Sequence, residues 1–219
     1  MVKTMCGDLL DDDPAVRTTV QRWLNGGDAL ALRHAYTDVD SALHGLAHGL
    51  PDLLLVEINI RNGYGLELLR KIRHRHPELR ILVLSLLDEH LYAERVLRIG
   101  ARGYVMKSAG PETFRVATET ILADQLYVSS AVELRILREI AQQEDGEQLS
   151  PEKLLSNREF EVFVKIAEGH TSRKIAADLG LSIKTVETHR AHIKHKLHAR
   201  TARSLTNEAA GWVAQQTRS

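Results

Sequence analysis

The chain has 219 residues, of which 43% are hydrophobic and 26% are charged. This composition is typical of soluble globular proteins, and the length suits one large domain or two ordinary ones. The one cysteine, Cys6, excludes an intramolecular disulfide and any cysteine-cluster zinc site. The sequence lacks a signal-peptide pattern and an apolar window near the ~18 residues of a membrane span, so we expect a cytoplasmic protein without a membrane partner.

The formal net charge of zero conceals two unequal halves. From Ser150 onward, twelve Lys and Arg outnumber seven Asp and Glu, a net charge of +5, and the preceding residues carry −5. An acidic half joined to a basic half suggests that only the second half meets a polyanion. The polar stretch QQEDGEQLSP, residues 142–151, separates the halves and predicts a linker.

The first half alternates strand-like and helix-like patterns. Near-continuous apolar runs such as LLLVEINI (53–60) and ILVLSLL (81–87) are typical of central parallel strands that are covered on both faces. A helix opens at Pro14, and further elements are predicted at 31–36 (strand), 41–49 (helix), 103–107 (strand), 111–122 (helix) and 129–141 (connecting helix). This alternation predicts an α/β fold with a doubly wound, parallel, five-stranded sheet, in which ligands lie at the carboxyl ends of the strands.

The first strand has an unusual composition, because Cys6, Gly7 and Asp8 stand where aliphatic residues are expected. Glycine weakens a central strand, and a buried charge is costly unless it is paired. Either this strand is short, or this edge of the pocket is remodelled.

The second half is helical throughout and carries the signals of a helix-turn-helix. Ser156 and Glu159 form a capping box that opens a helix ending at Gly169. A short helix then begins at Thr171 or Ser172 and stops at Gly180, and Ser182 caps a third helix over 183–198. Two short helices joined by a tight turn that contains glycine are typical of a helix-turn-helix.

The third helix has an outward face without acidic residues. At about 100° per residue, Lys184, Thr188, His192 and His195 share this face, opposite an apolar stripe. Donors and hydroxyls of this kind suit base edges and phosphates in a major groove, and the helix N-terminus could offer backbone N–H groups to a phosphate. Two alternatives remain open, an ordinary solvated face and a metal site formed by the histidines, including His189.

The stretch LSNREFEVFVKIAEGHTSRKIAADLGLSIKTVETHRAHIKHKL, Leu155–Leu197, resembles the LuxR-type helix-turn-helix. The resemblance implies that the third helix approaches DNA and that the last helix, 202–214, pairs with its copy in a second protomer. The predicted DNA-binding residues are Lys184, Thr185, Thr188, His189, His192, His195 and Lys196.

A LuxR-type domain after an α/β domain resembles the NarL/FixJ family of response regulators. The segment GARGYVMKSA, Gly100–Ala109, is especially similar to that family. The resemblance implies an acidic pocket at Asp11 and Asp12, and switch residues at Ser85, Tyr104 and Lys107.

The third strand departs from the family pattern, because Glu57 stands where the resemblance implies a phosphoryl-accepting Asp. A carboxylate one methylene, roughly 1.5 Å, further out should lose in-line phosphotransfer or make it very slow. Three interpretations stay open: Glu57 imitates the phosphorylated state, the receiver is a scaffold regulated in another way, or Glu57 only stabilises the pocket through Lys107. Asp11, Asp12 and Glu57 could still hold Mg²⁺, which no step requires.

We therefore expect a DNA-binding transcription regulator and not an enzyme: a receiver-like domain over 1–125, a connecting helix and linker over 126–150, and a LuxR-type domain over 151–219. Its expected partners are promoter half-sites in double-stranded DNA, a second copy of the chain and, indirectly, RNA polymerase; a cognate kinase is left open. Two rival functions are a conventional phosphorylated regulator with another acceptor and a Mg²⁺-dependent phosphatase that uses Asp11, Asp12, Glu57 and Lys107.

Overall fold

The computed structural model describes residues 5–24, 30–60, 65–142 and 150–217. The chain divides into two compact units, of which the first holds Met1–Ile60 and Leu68–Val132 and the second holds Arg61–Glu67 and Glu133–Ser219. No helix among the described residues combines the length and the apolar character that crossing a membrane requires.

The first unit contains a five-stranded sheet in the order β2-β1-β3-β4-β5. All four neighbouring pairs are parallel. This order is one of the two common doubly wound arrangements, so the predicted fold class is confirmed. The strands are β1 Met5–Leu10, β2 Leu30–Tyr36, β3 Leu53–Val56, β4 Ile81–Ser85 and β5 Gly103–Met106.

Strands β3 and β4 are shorter than their apolar runs predicted, since they end at Val56 and Ser85 rather than at residues 60 and 87. Ile58 and Ile60 remain buried beyond the end of β3. Burial therefore explains the continued apolar run after β3, whereas Leu86, which follows β4, is exposed.

Five helices surround the sheet. Two of them, α3 and α4, were not assigned from the sequence. The bounds are α1 Pro14–Leu24, α2 Val39–His48, α3 Gly65–Arg75, α4 Glu89–Ile99 and α5 Gly110–Leu122, with a 3₁₀ turn at Lys107–Ala109.

The core between the sheet and helices α1 and α5 is aliphatic with one aromatic contact. Leu9, Leu55 and Leu84 are fully buried in it, and they project from one face of the sheet. The rings of Trp23 and Phe114 lie 5.3 Å apart, which joins α1 to α5 over this face. The rigid sheet that results holds the ends of β1, β3, β4 and β5 in fixed positions.

The first strand is not short, and its polar residues are accommodated at the β1–β2 edge of the sheet. Strand β1 keeps six residues, and its pairing with β2 shifts between Gly7 and Asp8. The fully buried Asp8 carboxylate accepts two hydrogen bonds from the Arg33 guanidinium, at 3.0 and 2.8 Å, and a third from the Tyr36 hydroxyl at 3.3 Å. A bidentate ion pair thus offsets the cost of a charge inside the sheet.

The second unit is helical. Most of the predicted linker at 142–151, residues 143–149, lies outside the described residues. The last residue of the predicted linker, Pro151, begins a short helix. The helices are α6 Ser130–Gln142 (whose first three residues belong to the first unit), α7 Pro151–Leu154, α8 Asn157–Ala167, α9 Ser172–Leu179, α10 Ile183–Lys196 and α11 Ala202–Gln216.

Replacing Arg33 tests the Asp8 ion pair. We expect Arg33→Met to lower the free energy of unfolding by about 2 kcal/mol, because it leaves a buried carboxylate without its main partner. The double variant Asp8→Leu/Arg33→Met should recover most of this loss. Urea unfolding, followed by the fluorescence of Trp23 in a Trp212→Phe background, measures the free energy of unfolding of the first unit.

The control is Arg80→Met, which breaks a bidentate pair with the exposed Asp124 and should cost well under ~1 kcal/mol. An Arg33→Met variant as stable as this control would show that Asp8 does not depend on Arg33.

Candidate functional site

Four strands of the first unit deliver polar side chains to the carboxyl edge of the sheet. Asp11 and Glu57 directly follow β1 and β3, Ser85 is the last residue of β4, and Lys107 directly follows β5. Apart from the mostly buried Lys107, these side chains are almost completely buried. Because neighbouring parallel strands end at the same edge, residues far apart in the chain form one pocket.

The Lys107 ammonium is the centre of this pocket. Its Nζ atom lies 2.7 Å from Asp11 Oδ2 and 2.7 Å from Glu57 Oε2. The other oxygen of Glu57, Oε1, accepts hydrogen bonds from Ser85 Oγ at 2.5 Å and from the Asn59 backbone N–H at 2.7 Å. Glu57 therefore connects the lysine after β5 to the hydroxyl that ends β4.

Burial changes the acid–base properties of the pocket. Burial raises the pKa of the Asp11 carboxyl, although hydrogen bonds from Lys107 and the Asp13 backbone oppose the rise. Burial alone would lower the pKa of Lys107, but its hydrogen bonds with Asp11 and Glu57 outweigh burial and raise it. Lys107 is consequently a permanent cation at neutral pH.

Tyr104 points into the protein and connects the pocket to the β4–α4 loop. Its side chain is fully buried, and its hydroxyl donates to the Leu87 carbonyl at 2.8 Å. Ser85 Oγ accepts a hydrogen bond from the Leu87 backbone N–H at 3.2 Å. Burial raises the pKa of Tyr104 far above its ordinary value, so this tyrosine stays a neutral donor. The same loop is thus held by both Ser85 and Tyr104.

The second unit contains the predicted helix-turn-helix. Ser156 and Glu159 form the capping box of α8, Thr171 caps α9, and Ser182 caps α10. Gly180 ends α9 with φ 62°, a left-handed conformation in which glycine carries no Cβ penalty. The turn between α9 and α10 is therefore fixed by one glycine and one serine cap.

Helix α10 buries one face and exposes the predicted one. Val186 and Ile193 are completely buried, whereas Lys184, Thr188 and His192 are exposed. Also exposed or partly exposed are Thr185, His189, His195 and Lys196. The helix N-terminus offers fewer free donors than expected, because the Thr185 backbone N–H already donates to Ser182 Oγ at 3.0 Å.

An ion pair joins the C-terminal end of α10 to α8. Lys196 Nζ donates to Glu159 Oε2 at 2.6 Å, and His192 Nδ1 lies 3.8 Å from Glu159 Oε1. Burial opposes ionisation of Glu159, but hydrogen bonds from Lys196 and the Ser156 backbone outweigh it and lower the pKa of that carboxyl. Burial lowers the pKa of His189, so that ring is neutral at pH 7.

Both units match known families. The model of the response regulator receiver domain matches residues 9–119, and the model of the bacterial regulatory proteins of the luxR family matches residues 153–209. The oxygen regulatory protein NreC of Staphylococcus haemolyticus is 32% identical over 205 residues, 92% of this chain and 94% of that protein. NreC of Staphylococcus aureus has the same identity and coverage.

Solved structures share the fold. The RcsB response regulator of Salmonella typhimurium superimposes with a TM-score of 0.69 at 22% identity, covering 96% of this chain and 98% of that one. A two-component response regulator of the LuxR family from Aurantimonas has a TM-score of 0.59 at 27% identity, covering 64% of this chain and 100% of that one.

This chain is a response regulator. It belongs to the receiver family and carries a luxR-family domain at its C-terminal end, so the expected resemblance and the coarse expectation of a DNA-binding response regulator are confirmed. The structure brings Asp11, Glu57, Ser85 and Lys107 together at one edge of the sheet. Tyr104 lies within β5 with its hydroxyl on the β4–α4 loop, and Asp12, which is partly exposed, follows Asp11. The roles of these residues, and those assigned along α10, stay predictions.

The pocket of the regulator does not fit Mg²⁺ as its side chains are arranged. Both oxygens of Glu57 are engaged by Lys107, Ser85 and Asn59, and those of Asp11 face Lys107 and the Asp13 N–H. A divalent cation on the expected ligands would have to displace the lysine. Within the described residues, neither these carboxylates nor the α10 histidines form a cluster with metal-ligand spacing.

Two contributions to the site could not be read from the sequence. Leu87 takes part through its backbone groups alone, and no side-chain pattern marks them. The capping box identified Glu159, but its ion pair with Lys196 joins residues 37 positions apart, and only the packing of α10 on α8 creates it.

Glu159→Gln tests this ion pair, because glutamine can keep the capping box while it removes the charge. We expect a loss of about 1 kcal/mol in the stability of the second unit at pH 7. A carboxyl with a lowered pKa stabilises the fold above its ordinary pKa, and this contribution is lost as the pH falls through the folded value. The melting temperatures of both proteins should therefore converge as the pH falls well below the ordinary pKa of a glutamate.

Glu168→Gln, which removes the half-exposed partner of Lys165, is the control and should change stability little. If the Glu159→Gln deficit persisted unchanged at acidic pH, the ion pair would not be its cause.

Proposed function

We propose that this response regulator controls transcription without aspartyl phosphorylation, because Glu57 holds its receiver in an active-like arrangement. The observation that carries the proposal is the simultaneous contact of Glu57 with Ser85, at 2.5 Å, and with Lys107, at 2.7 Å. In the receiver family these are the positions of the hydroxyl and the lysine that sense the phosphoryl group. Here the Glu57 carboxylate contacts both the hydroxyl and the lysine.

The extra methylene of glutamate explains how one side chain reaches both partners. It extends the carboxylate by roughly 1.5 Å toward the place where a phosphoryl group would stand on a shorter aspartate. The imitation is partial, since glutamate carries one negative charge and a phosphoryl group about 1.5 to 2. The buried Tyr104, which donates to the Leu87 carbonyl, supports the same arrangement of the β4–α4 loop.

Phosphotransfer to Glu57 is disfavoured by the same contacts. A carboxylate nucleophile must present an oxygen in line with the phosphodonor. Lys107, Ser85 and Asn59 occupy both oxygens of Glu57 with short hydrogen bonds or ion contacts. Because Lys107 supplies the positive charge inside the pocket, the proposed mechanism needs no Mg²⁺ and no enzymatic turnover.

The DNA-binding surface is the exposed face of α10, with Lys184, Thr185, Thr188, His189, His192, His195 and Lys196 as its proposed contacts. Solved RcsB structures include complexes with promoter DNA, and the shared fold supports a similar use of this helix here. We propose that two copies present their α10 helices to half-sites about one helical turn apart and act on RNA polymerase indirectly.

The last helix, α11, is the proposed pairing element of the second unit. It buries Leu205, Ala209 and Trp212, and the Trp212 ring packs edge-on against Phe160 with centroids 5.7 Å apart. Its outer face carries the small residues Ala210, Gly211 and Ala214, all exposed, which would let a second α11 approach closely.

The proposed boundaries of the receiver, linker and DNA-binding domain remain 1–125, 126–150 and 151–219.

Replacing Glu57 tests the proposal. We expect Glu57→Ala to weaken DNA binding at least about tenfold, because Ser85 and Lys107 lose the carboxylate that joins them. Ser85→Ala should weaken binding in the same direction and should add little to Glu57→Ala, since both act through one contact. Fluorescence anisotropy with genomic fragments selected by the untreated protein measures the affinity.

Glu78→Gln is the matched control, because it removes an exposed carboxylate of the same unit. Equal affinity of wild type and Glu57→Ala, with a lower melting temperature in the variant, would mean that Glu57 only stabilises the pocket. Acid-labile label from acetyl phosphate that persists in Glu57→Ala would instead favour a conventional regulator with another acceptor.

Lys184→Ala tests the placement of α10 in the groove. The exposed ammonium of Lys184 should neutralise one phosphate, so the variant should bind more weakly and reduce the slope of log K against log salt by about 1. Binding titrations between about 50 and 200 mM salt give the slope. Lys153→Ala, outside the helix-turn-helix, should leave it unchanged; an unchanged slope in Lys184→Ala would overturn the groove assignment.

A further inference from the structure

The outer face of helix α6, formed by Leu134, Leu137, Ile140 and Ala141, is apolar and exposed. The three large side chains on it are 53%, 54% and 60% exposed, respectively. Exposed leucines scattered singly are ordinary, but a contiguous apolar face on a helix marks an interaction surface. None of these four residues is used by the pocket or by the helix-turn-helix.

The opposite face of α6 is already occupied within the second unit. Arg135 is 7% exposed, and its Nη1 atom donates to Glu139 at 3.1 Å and to Gln216 at 2.9 Å. The same guanidinium atom lies 3.5 Å from Glu152. The helix is therefore fixed through its inner face, and its outer face is available to a partner.

The spacing on the outer face is that of a coiled-coil heptad. Leu134 and Ala141 are seven residues apart at the a position, and Leu137 falls at d. Glu133 then occupies g, and Arg138 occupies e, on the two sides of the seam. Both charged side chains are exposed, and neither forms an ion pair with another described residue.

We propose that α6 pairs in parallel with α6 of a second copy of the chain. Charge complementarity selects this occupant and this direction. In a parallel pair, a g residue lies beside the e′ residue five positions further on, so Glu133 meets Arg138 of the second copy on both sides of the seam. In an antiparallel pair related by a twofold axis, Glu133 would face its own copy and Arg138 likewise, which is repulsive.

The parallel direction also agrees with the proposed function, on which this inference partly rests. In a parallel α6 pair, a twofold axis runs along the two helices, so the DNA-binding domains of both copies follow at the same end of the pair. Two recognition helices that bind one DNA duplex require this direction. The seam spans fewer than two heptads, so it would assist the proposed α11 contact instead of replacing it.

Site-directed cross-linking tests the pairing in the full-length protein without DNA. In a Cys6→Ser background, single cysteines at positions 134, 137 and 141 should each form disulfide-linked dimers, because equivalent a and d residues face each other in a parallel pair. Leu126→Cys, at a 61% exposed position before the helix, is the matched control and should form no disulfide-linked dimer under the same oxidation.

Sedimentation equilibrium supplies the energetic test. Glu133→Arg and Arg138→Glu should each weaken dimerisation about threefold or more, and the double reversal should restore it, since it rebuilds complementary pairs. Leu134→Ser/Leu137→Ser should weaken it at least about tenfold without lowering the melting temperature, because both side chains are exposed in the isolated chain.

Three results would overturn the inference. Cross-linking confined to one of the three positions would exclude a parallel seam. A lower melting temperature in Leu134→Ser/Leu137→Ser with no change in association would mean that the chain covers this face itself. Monomeric wild type without cross-links at any position would leave the face to a different protein. None of these results depends on Glu57 or Lys184, so a failure here is distinguishable from a failure of the proposed function.

Discussion

The pocket depends on one ammonium group held between two carboxylates. Lys107 lies 2.7 Å from both Asp11 and Glu57, and without it two buried negative charges would stand close together in a medium that screens them poorly. The lysine therefore contacts both carboxyl groups and offsets the cost of burying them. Glu57 Oε1 accepts the short hydrogen bond from Ser85 Oγ, which in turn accepts one from the Leu87 N–H, so one serine joins the pocket to the β4–α4 loop.

The same electrostatic requirement appears at the β1–β2 edge, where Arg33 neutralises the fully buried Asp8. The two ion pairs differ in what they constrain. Asp8 and Arg33 join neighbouring strands and hold the edge of the sheet, whereas Lys107 joins the ends of β1, β3 and β5. The first unit thus combines an aliphatic core, which fixes the sheet, with buried ion pairs, which fix the geometry of its edges.

The fold was predictable because it follows from short-range patterns, whereas the pocket residues were named from the resemblance to response regulators. The apolar strands, the Ser156 capping box and the position of Glu57 after β3 all lie within a few residues of the signals that reveal them. The end of β3 was not predictable, since Ile58 and Ile60 are buried without strand pairing. The ion pair between Asp8 and Arg33 was not predictable either, because it accompanies a shift in strand pairing that no local sequence pattern indicates.

The charges of the second unit are divided between the proposed DNA contacts and ion pairs within the unit. Lys196 is engaged by Glu159, which also attracts His192, and burial keeps His189 neutral. The exposed end of α10 therefore contributes less positive charge than its sequence suggests, and one copy should neutralise few phosphates. Because affinity at physiological salt rises steeply with the number of neutralised phosphates, a single copy should bind weakly. Pairing of two copies, through the proposed α11 and α6 contacts, would then strengthen operator binding by adding a second set of phosphate contacts.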